Sequence, residues 1–227
     1  MDAPDINSII ESAFLRLAAH LAYGQYVDTS LPIPQAFIGS GTIRLIILGQ
    51  DPTVKNAAAR KSITTVLNLN KSGTLRTYLL KICATLDINL SQEVYATNLF
   101  KNFFIQQPTQ ITELDIFDEC LPFWLPVLQA ELAQLPTTPV LILGEPLLQT
   151  LVCGGASGKV RDYWGYVPGW KQNVDQPLFS RLPADHNLLE RTIFPFPHQP
   201  SWQRQKFYSG RLEGYCKAIR KYLNSQA

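Results

Sequence analysis

Ile43-Arg44-Leu45-Ile46-Ile47-Leu48-Gly49-Gln50-Asp51-Pro52 is the stretch on which the fold turns. Ile43–Leu48 is a compact apolar run carrying β-branched residues, and Gly49 and Pro52 break it. A run of that length and make-up reads as a buried strand that ends in a turn.

Three more segments have the same character. Val94–Leu99 reads as a second strand, Val140–Leu143 as a third closed by Gly144, and Arg191–Phe196 as a fourth. Helical patterns lie between them. Ser8-Ile9-Ile10-Glu11 has the form of a capping box, followed by Phe14, Leu15, Leu17 and Leu21 at helical spacing. A second helix is expected over Gly73–Thr85, with Leu75, Leu79, Leu80 and Ile82 inward. Thr112 caps a stretch through Glu113–Leu135, which Pro122 and Pro126 should split or kink. Pro146 sits in the first turn of a further helix that stops at Gly154–Gly155, and Gln203–Leu223 makes the last one. Strands alternating with helices imply an α/β fold, a short central parallel four-stranded sheet flanked by helices. No repeat, low-complexity tract or domain boundary interrupts the chain, so residues 1–227 read as a single domain. The segment Ala156–Glu190 is too long for a connector and should hold a small hairpin or a functional loop.

Composition narrows the function. Hydrophobic residues make up 46% and charged residues 17%, which describes a globule with a full core rather than a charged disordered chain. The net charge of +2 leaves any contact with nucleic acid to local patches. Cys83, Cys120, Cys153 and Cys216 are scattered, and His20, His186 and His198 do not sit near them at ligand spacing. No metal and no cofactor is expected from that pattern. Isolated thiols without a signal peptide suggest a cytoplasmic protein, and no apolar stretch reaches the ~20 residues that span a bilayer.

Ligands of open parallel sheets bind beyond the carboxyl ends of the strands. Those ends carry Gly49-Gln50-Asp51-Pro52, Asn98, Gly144-Glu145 and His198-Gln199-Pro200-Ser201. Singly, each has an ordinary reading. Asp51 before Pro52 is a turn pair, and Asn98 satisfies backbone at a fraying strand. Glu145 favours a helix dipole, and His198 is a loop histidine. Together they bring acids, an amide and an imidazole to one edge, which is a catalytic inventory.

The combination resembles the uracil-DNA glycosylase superfamily. Leu48-Gly49-Gln50-Asp51-Pro52 is similar to its water-activating GQDPY motif, with Thr53 in place of the tyrosine. Ala96-Thr97-Asn98-Leu99 resembles the strand whose asparagine reads uracil. Pro197-His198-Gln199-Pro200-Ser201 resembles HPSPLS with a glutamine inserted. The resemblance runs from Ile43 to Tyr208 in the family's order. It implies a monofunctional hydrolase of the N-glycosidic bond, acting on uracil or a related deaminated or damaged base in DNA repair. Asp51 would activate water and His198 would hydrogen-bond the leaving base. Gln50, Pro52, Thr53 and Asn98 would form the base pocket.

Such chemistry requires an everted base. Trp202 matches the place of the family's intercalating leucine, and reads equally as a core tryptophan. Ser201, Arg204 and Lys206 beside it are the expected DNA contacts. Basic residues at Lys55, Arg60, Lys61, Lys71, Arg76 and Lys81 occur without an acid between Pro52 and Leu86. Thr53 is smaller than the tyrosine that blocks thymine's methyl group. The stacking phenylalanine would fall near Ile63–Thr65, where no aromatic stands; Tyr163, Trp164, Tyr166 and Trp170 are the substitutes, unless they pack as a hairpin. The expected partner is DNA, single- or double-stranded, met by a monomer with no membrane contact. The alternatives are a DNA-binding protein on this fold without useful catalysis, and a hydrolase of small nucleosides.

Overall fold

Five strands form one sheet in the computed structural model, which describes residues 5–167, 178–199, 201 and 205–226. They are β1 (Phe37–Ile38), β2 (Leu45–Gly49), β3 (Val94–Asn98), β4 (Val140–Leu143) and β5 (Ile193–Phe196). The order across the sheet is β1-β3-β2-β4-β5. β3, β2, β4 and β5 run parallel, and β1 joins antiparallel on the outer side of β3. The expected four strands are present. The fifth, only two residues long, carries no periodic signal of its own. Every residue of β2 and β4 is buried, as their unbroken apolar runs require of strands covered on both faces.

The longer helices are α1 (Ile6–Ala18), α2 (Thr74–Leu86), α3 (Ile116–Leu132), α4 (Glu145–Leu151) and α5 (Leu212–Gln226). α1 packs on α3, and α2 packs on α5. Register assigns the two pairs to opposite faces. Phe194 and Phe196 meet Tyr222 and Tyr215 of α5, and Phe194 lies level with Leu141, Ile47 and Ala96 across the sheet. Thr97, the next residue of β3, therefore faces the other way. There its hydroxyl donates to Glu131 of α3 at 2.9 Å. Lys101 completes this buried cluster with an ion pair to Glu131, while Tyr95 donates to the same carboxylate. Burial depresses the Lys101 pKa and Glu131 opposes the shift.

Several boundaries differ from expectation. The cap of α1 is Asp5, whose side chain accepts from Asn7 N, so Ser8 lies inside the helix and forms no capping box. Leu15 and Leu21 are exposed, the latter beyond the helix end, and Leu80 is 39% exposed where Tyr78 and Leu79 turn inward. α3 is continuous through Pro122 and Pro126, capped by Asp115 rather than Thr112. Both prolines lie on its exposed side while Cys120, Trp124 and Leu128 face the core. The carbonyls that lose a partner there are open to water, so the helix survives. α4 ends at Leu151, before the two glycines. The last helix is divided into Lys206–Ser209 and Leu212–Gln226 on either side of Gly210.

Among the described residues, no helix is long and apolar enough to cross a membrane.

Candidate active site

The chain leaves β2 to build β3 on one side, then crosses back to build β4 on the other. The crevice between the ends of β2 and β4 is thus the switch point where α/β sheets hold ligands. A cavity of about 620 Å³ opens there, within the usual range for small-molecule sites. Gly49, Gln50, Asp51, Pro52 and Thr53 line it from β2, Leu143 and Gly144 from β4, and His198 from the end of β5. Asp51 and His198, remote from each other in sequence, line the same cavity.

Asp51 is held from both sides. Thr53 N donates to its Oδ1 at 2.7 Å and Gln50 Nε2 to its Oδ2 at 2.9 Å. The first bond is an Asx turn, so the ordinary reading of Asp-Pro as a turn pair is also correct. Desolvation raises the Asp51 pKa above the ordinary carboxylate range, against bonds from Thr53 and Gln50 and the charge of Arg60. Thr53 accepts from Phe104 N at 2.8 Å, which ties the turn to the loop after β3. Arg60 clamps the same loop through Phe104 O and Ile105 O and is 5% exposed. It is structural, not a phosphate ligand.

His198 lies at the rim. Its side chain is exposed, yet desolvation by the neighbouring protein lowers its pKa. A Cβ built on Gly144, where φ is +104°, would lie 3.7 Å from the histidine Cβ. Gln199 is buried and leaves His198 on the cavity. Two donors fix the backbone that delivers it. Trp164 Nε1 donates to Pro195 O at 2.7 Å and Tyr78 OH to Pro197 O at 3.0 Å. Burial pushes the Tyr78 pKa up, keeping the hydroxyl a donor. Tyr78→Phe is expected to cost about 1–3 kcal/mol in urea unfolding by stranding a buried carbonyl. It should also move the His198 imidazole resonances; an unchanged histidine spectrum would remove Tyr78 from the positioning of His198.

Asn98 sits one layer back. It is 1% exposed, does not line the cavity, and its Oδ1 has no partner. It is level with Gly49 in the β2–β3 register. A Cβ on Gly49 would fall 2.3 Å from Asn98 Oδ1 and 2.7 Å from Leu67 Cδ2. Gly49 is glycine because those groups fill its side-chain space. Gly49→Ala should destabilise by about 1–3 kcal/mol, the cost of overpacking; full stability in urea would show that the wall yields freely.

The remaining expectations divide. Glu145 is structural, as read: it opens α4 and accepts from Val160 N at 3.2 Å. Tyr163 and Trp164 are buried, and Trp164 packs on Phe196, Tyr208 and Tyr215. Tyr166 packs on Phe207 and Arg161. None of the three lines the cavity, so the stacking role set for them is not served and the packing alternative holds. Trp164 pairs antiparallel with Phe179, as a hairpin would. Trp202, Arg204, Trp170 and Pro200 lie outside the described residues. Ser201 is half-buried and Lys206 exposed. Among the described residues, Lys55 and Arg76 are the lysine and arginine that line the cavity.

Sequence reasoning missed Ile63, Leu67, Asn68 and Leu75 as wall residues. The aliphatic character of Ile63, Leu67 and Leu75 reads as core, and nothing local distinguishes a cavity wall from a core. Among the described residues no cluster of three or more His, Cys, Asp or Glu is arranged to hold a metal ion. Comparison with protein-family models and with curated proteins finds no match to this chain.

Proposed function

We propose that the protein is a hydrolase of the N-glycosidic bond, a uracil-DNA glycosylase-like enzyme that releases uracil or a related deaminated base from DNA. The observation that carries this reading is the meeting of Asp51 and His198 on one cavity at the carboxyl ends of β2 and β5. The chemistry follows from what each group can do. A water held by the Asp51 carboxylate adds its oxygen to the anomeric carbon of the sugar, and its proton passes to the carboxylate. The carbon–nitrogen bond breaks with its electron pair going to the base. An N–H of His198 hydrogen-bonds the oxygen on which negative charge collects. The products are an abasic sugar and the free base. Stabilising a charge that exists only as the bond breaks is where such a site gains most.

A second reading has its own observation. The cavity adjoins a depression of about 600 Å³ that shares Pro108, Thr109 and Pro146 with it and carries Asp115 and Asp118. Carboxylates repel a phosphate backbone, and this end suits a neutral nucleoside better. One assay separates the two. The protein is incubated with single- and double-stranded oligonucleotides containing uracil, which are then treated with alkali, and in parallel with free uridine and deoxyuridine. Strand breaks support the glycosylase; base released only from nucleosides supports the second reading; no release from either substrate ends both.

A further inference from the structure

Two kinds of unfavourable feature meet at one place on the cavity wall. Four non-glycine residues among those described have positive φ, and two of them are neighbours there: Leu67 (φ 54°, ψ 12°) and Asn68 (φ 54°). A side chain crowds its own backbone in that conformation, and leucine, unlike asparagine, has no polar group to offset the cost. At the same place the Oδ1 atoms of Asn68 and Asn98 are buried without a partner. Buried acceptors are nearly always satisfied, and backbone strain persists only where the surroundings impose it. Their coincidence calls for a cause.

Geometry connects the two. A Cβ built on Gly49 would lie 2.3 Å from Asn98 Oδ1 and 2.7 Å from Leu67 Cδ2, so both atoms converge on one point at the end of β2. Leu67 is half-buried and lines the cavity, whereas Asn98 is 1% exposed and does not. The leucine therefore stands between the cavity and the amide. The turn that carries it is tied at both ends. Val66 N donates to Gln35 O at 2.9 Å, and Arg76 Nε to Leu69 O at 3.1 Å. Asn68 N donates to Thr65 O at 2.9 Å and Lys71 N to Asn68 O at 3.2 Å, which closes the turn. Anchored ends around a strained centre make a hinge.

We propose that the turn at residues 66–69 is a shutter on the cavity, with Leu67 as its leaf, and that it stands closed in this structure. Swinging Leu67 away from Gly49 lets residues 67 and 68 return to ordinary backbone and uncovers the Asn98 carbonyl. One motion thus relieves the strain and the orphaned acceptor together. The closed wall is aliphatic, from Ile63, Leu67, Leu75 and Leu143; the open one offers an amide. The open form is a minor state that extends the cavity, made dominant by a ligand that fills it. This holds whichever bond the site cleaves, and if it cleaves none.

Two measurements test the shutter. In the native protein with labelled leucine methyls, relaxation dispersion should show exchange at Leu67 and none at Leu45 or Leu48 of β2. A flat Leu67 profile overturns the proposal. The second measurement places a thiol behind the leaf. Asn98→Cys is made together with Cys153→Ser, since Cys153 is the partly exposed native thiol and Cys83, Cys120 and Cys216 are buried. A small methanethiosulfonate reagent is then applied with Leu67 kept or changed by Leu67→Gly, which removes the leaf and suits the left-handed turn. Labelling at position 98 should accelerate about tenfold or more in Leu67→Gly, the mark of a local opening, while the three buried thiols stay unreactive. Equal rates with and without the leucine overturn the shutter, and so does an acceleration shared by the buried thiols, which would mark global unfolding.

Discussion

Asp51→Asn is expected to slow the proposed base release sharply while making the protein more stable at neutral pH. The rate loss should be about 10²- to 10⁴-fold, the usual contribution of a general base. The gain in stability has a separate origin. Desolvation raises the Asp51 pKa more than its hydrogen bonds and Arg60 lower it. Between the unfolded and folded pKa values the native state therefore holds the extra proton, and stability falls as pH rises through that window. Stability from the protonated group is complete below the unfolded pKa and gone above the folded one. A neutral amide has no such loss. The difference in melting temperature between variant and wild type should then be small in acid and grow in the variant's favour toward neutrality. The wild-type rate should rise over the same window as the carboxyl ionises. A variant that loses stability at neutral pH would show that the carboxylate is part of the scaffold, and retained turnover would show that it is not the base.

His198→Ala should lower kcat by about 10²- to 10³-fold, the effect of deleting one donor to a developing oxyanion. DNA affinity, measured by fluorescence anisotropy on an uncleavable analogue, should change far less. The direction of its pKa shift supports this split. Desolvation lowers the histidine pKa below the ordinary imidazole value, so near neutral pH the ring is uncharged and acts by hydrogen bond rather than as a cation for phosphate. Equal losses in turnover and affinity would move His198 from the leaving base to the DNA backbone.

On the proposed glycosylase reading the two variants test different ends of one bond-breaking event, and they need not be additive. Groups that serve a single transition state lose most of their joint effect when the first is removed. The double variant should therefore be only slightly slower than Asp51→Asn alone. Multiplied losses would place the two residues in independent steps.

The amino-acid pattern alone specified the four parallel strands, the position of the turn after β2, and the loop that bears His198. Apolar runs such as Leu45–Gly49 and Val140–Leu143 carry their burial in their own composition, and Gly49 with Pro52 ends the first of them. Tertiary structure decided the rest. It allowed α3 to run through Pro122 and Pro126 by turning them to solvent, and it paired a two-residue β1 against β3. It drew Arg60 inward as a clamp and packed Trp164 into the core. The left-handed turn at Leu67 and Asn68 is likewise imposed, through Gln35, Lys71 and Arg76. Strands are legible because polarity along the chain is a local property. The wall of a cavity depends on which distant segments close around it, and short-range preference carries no record of that.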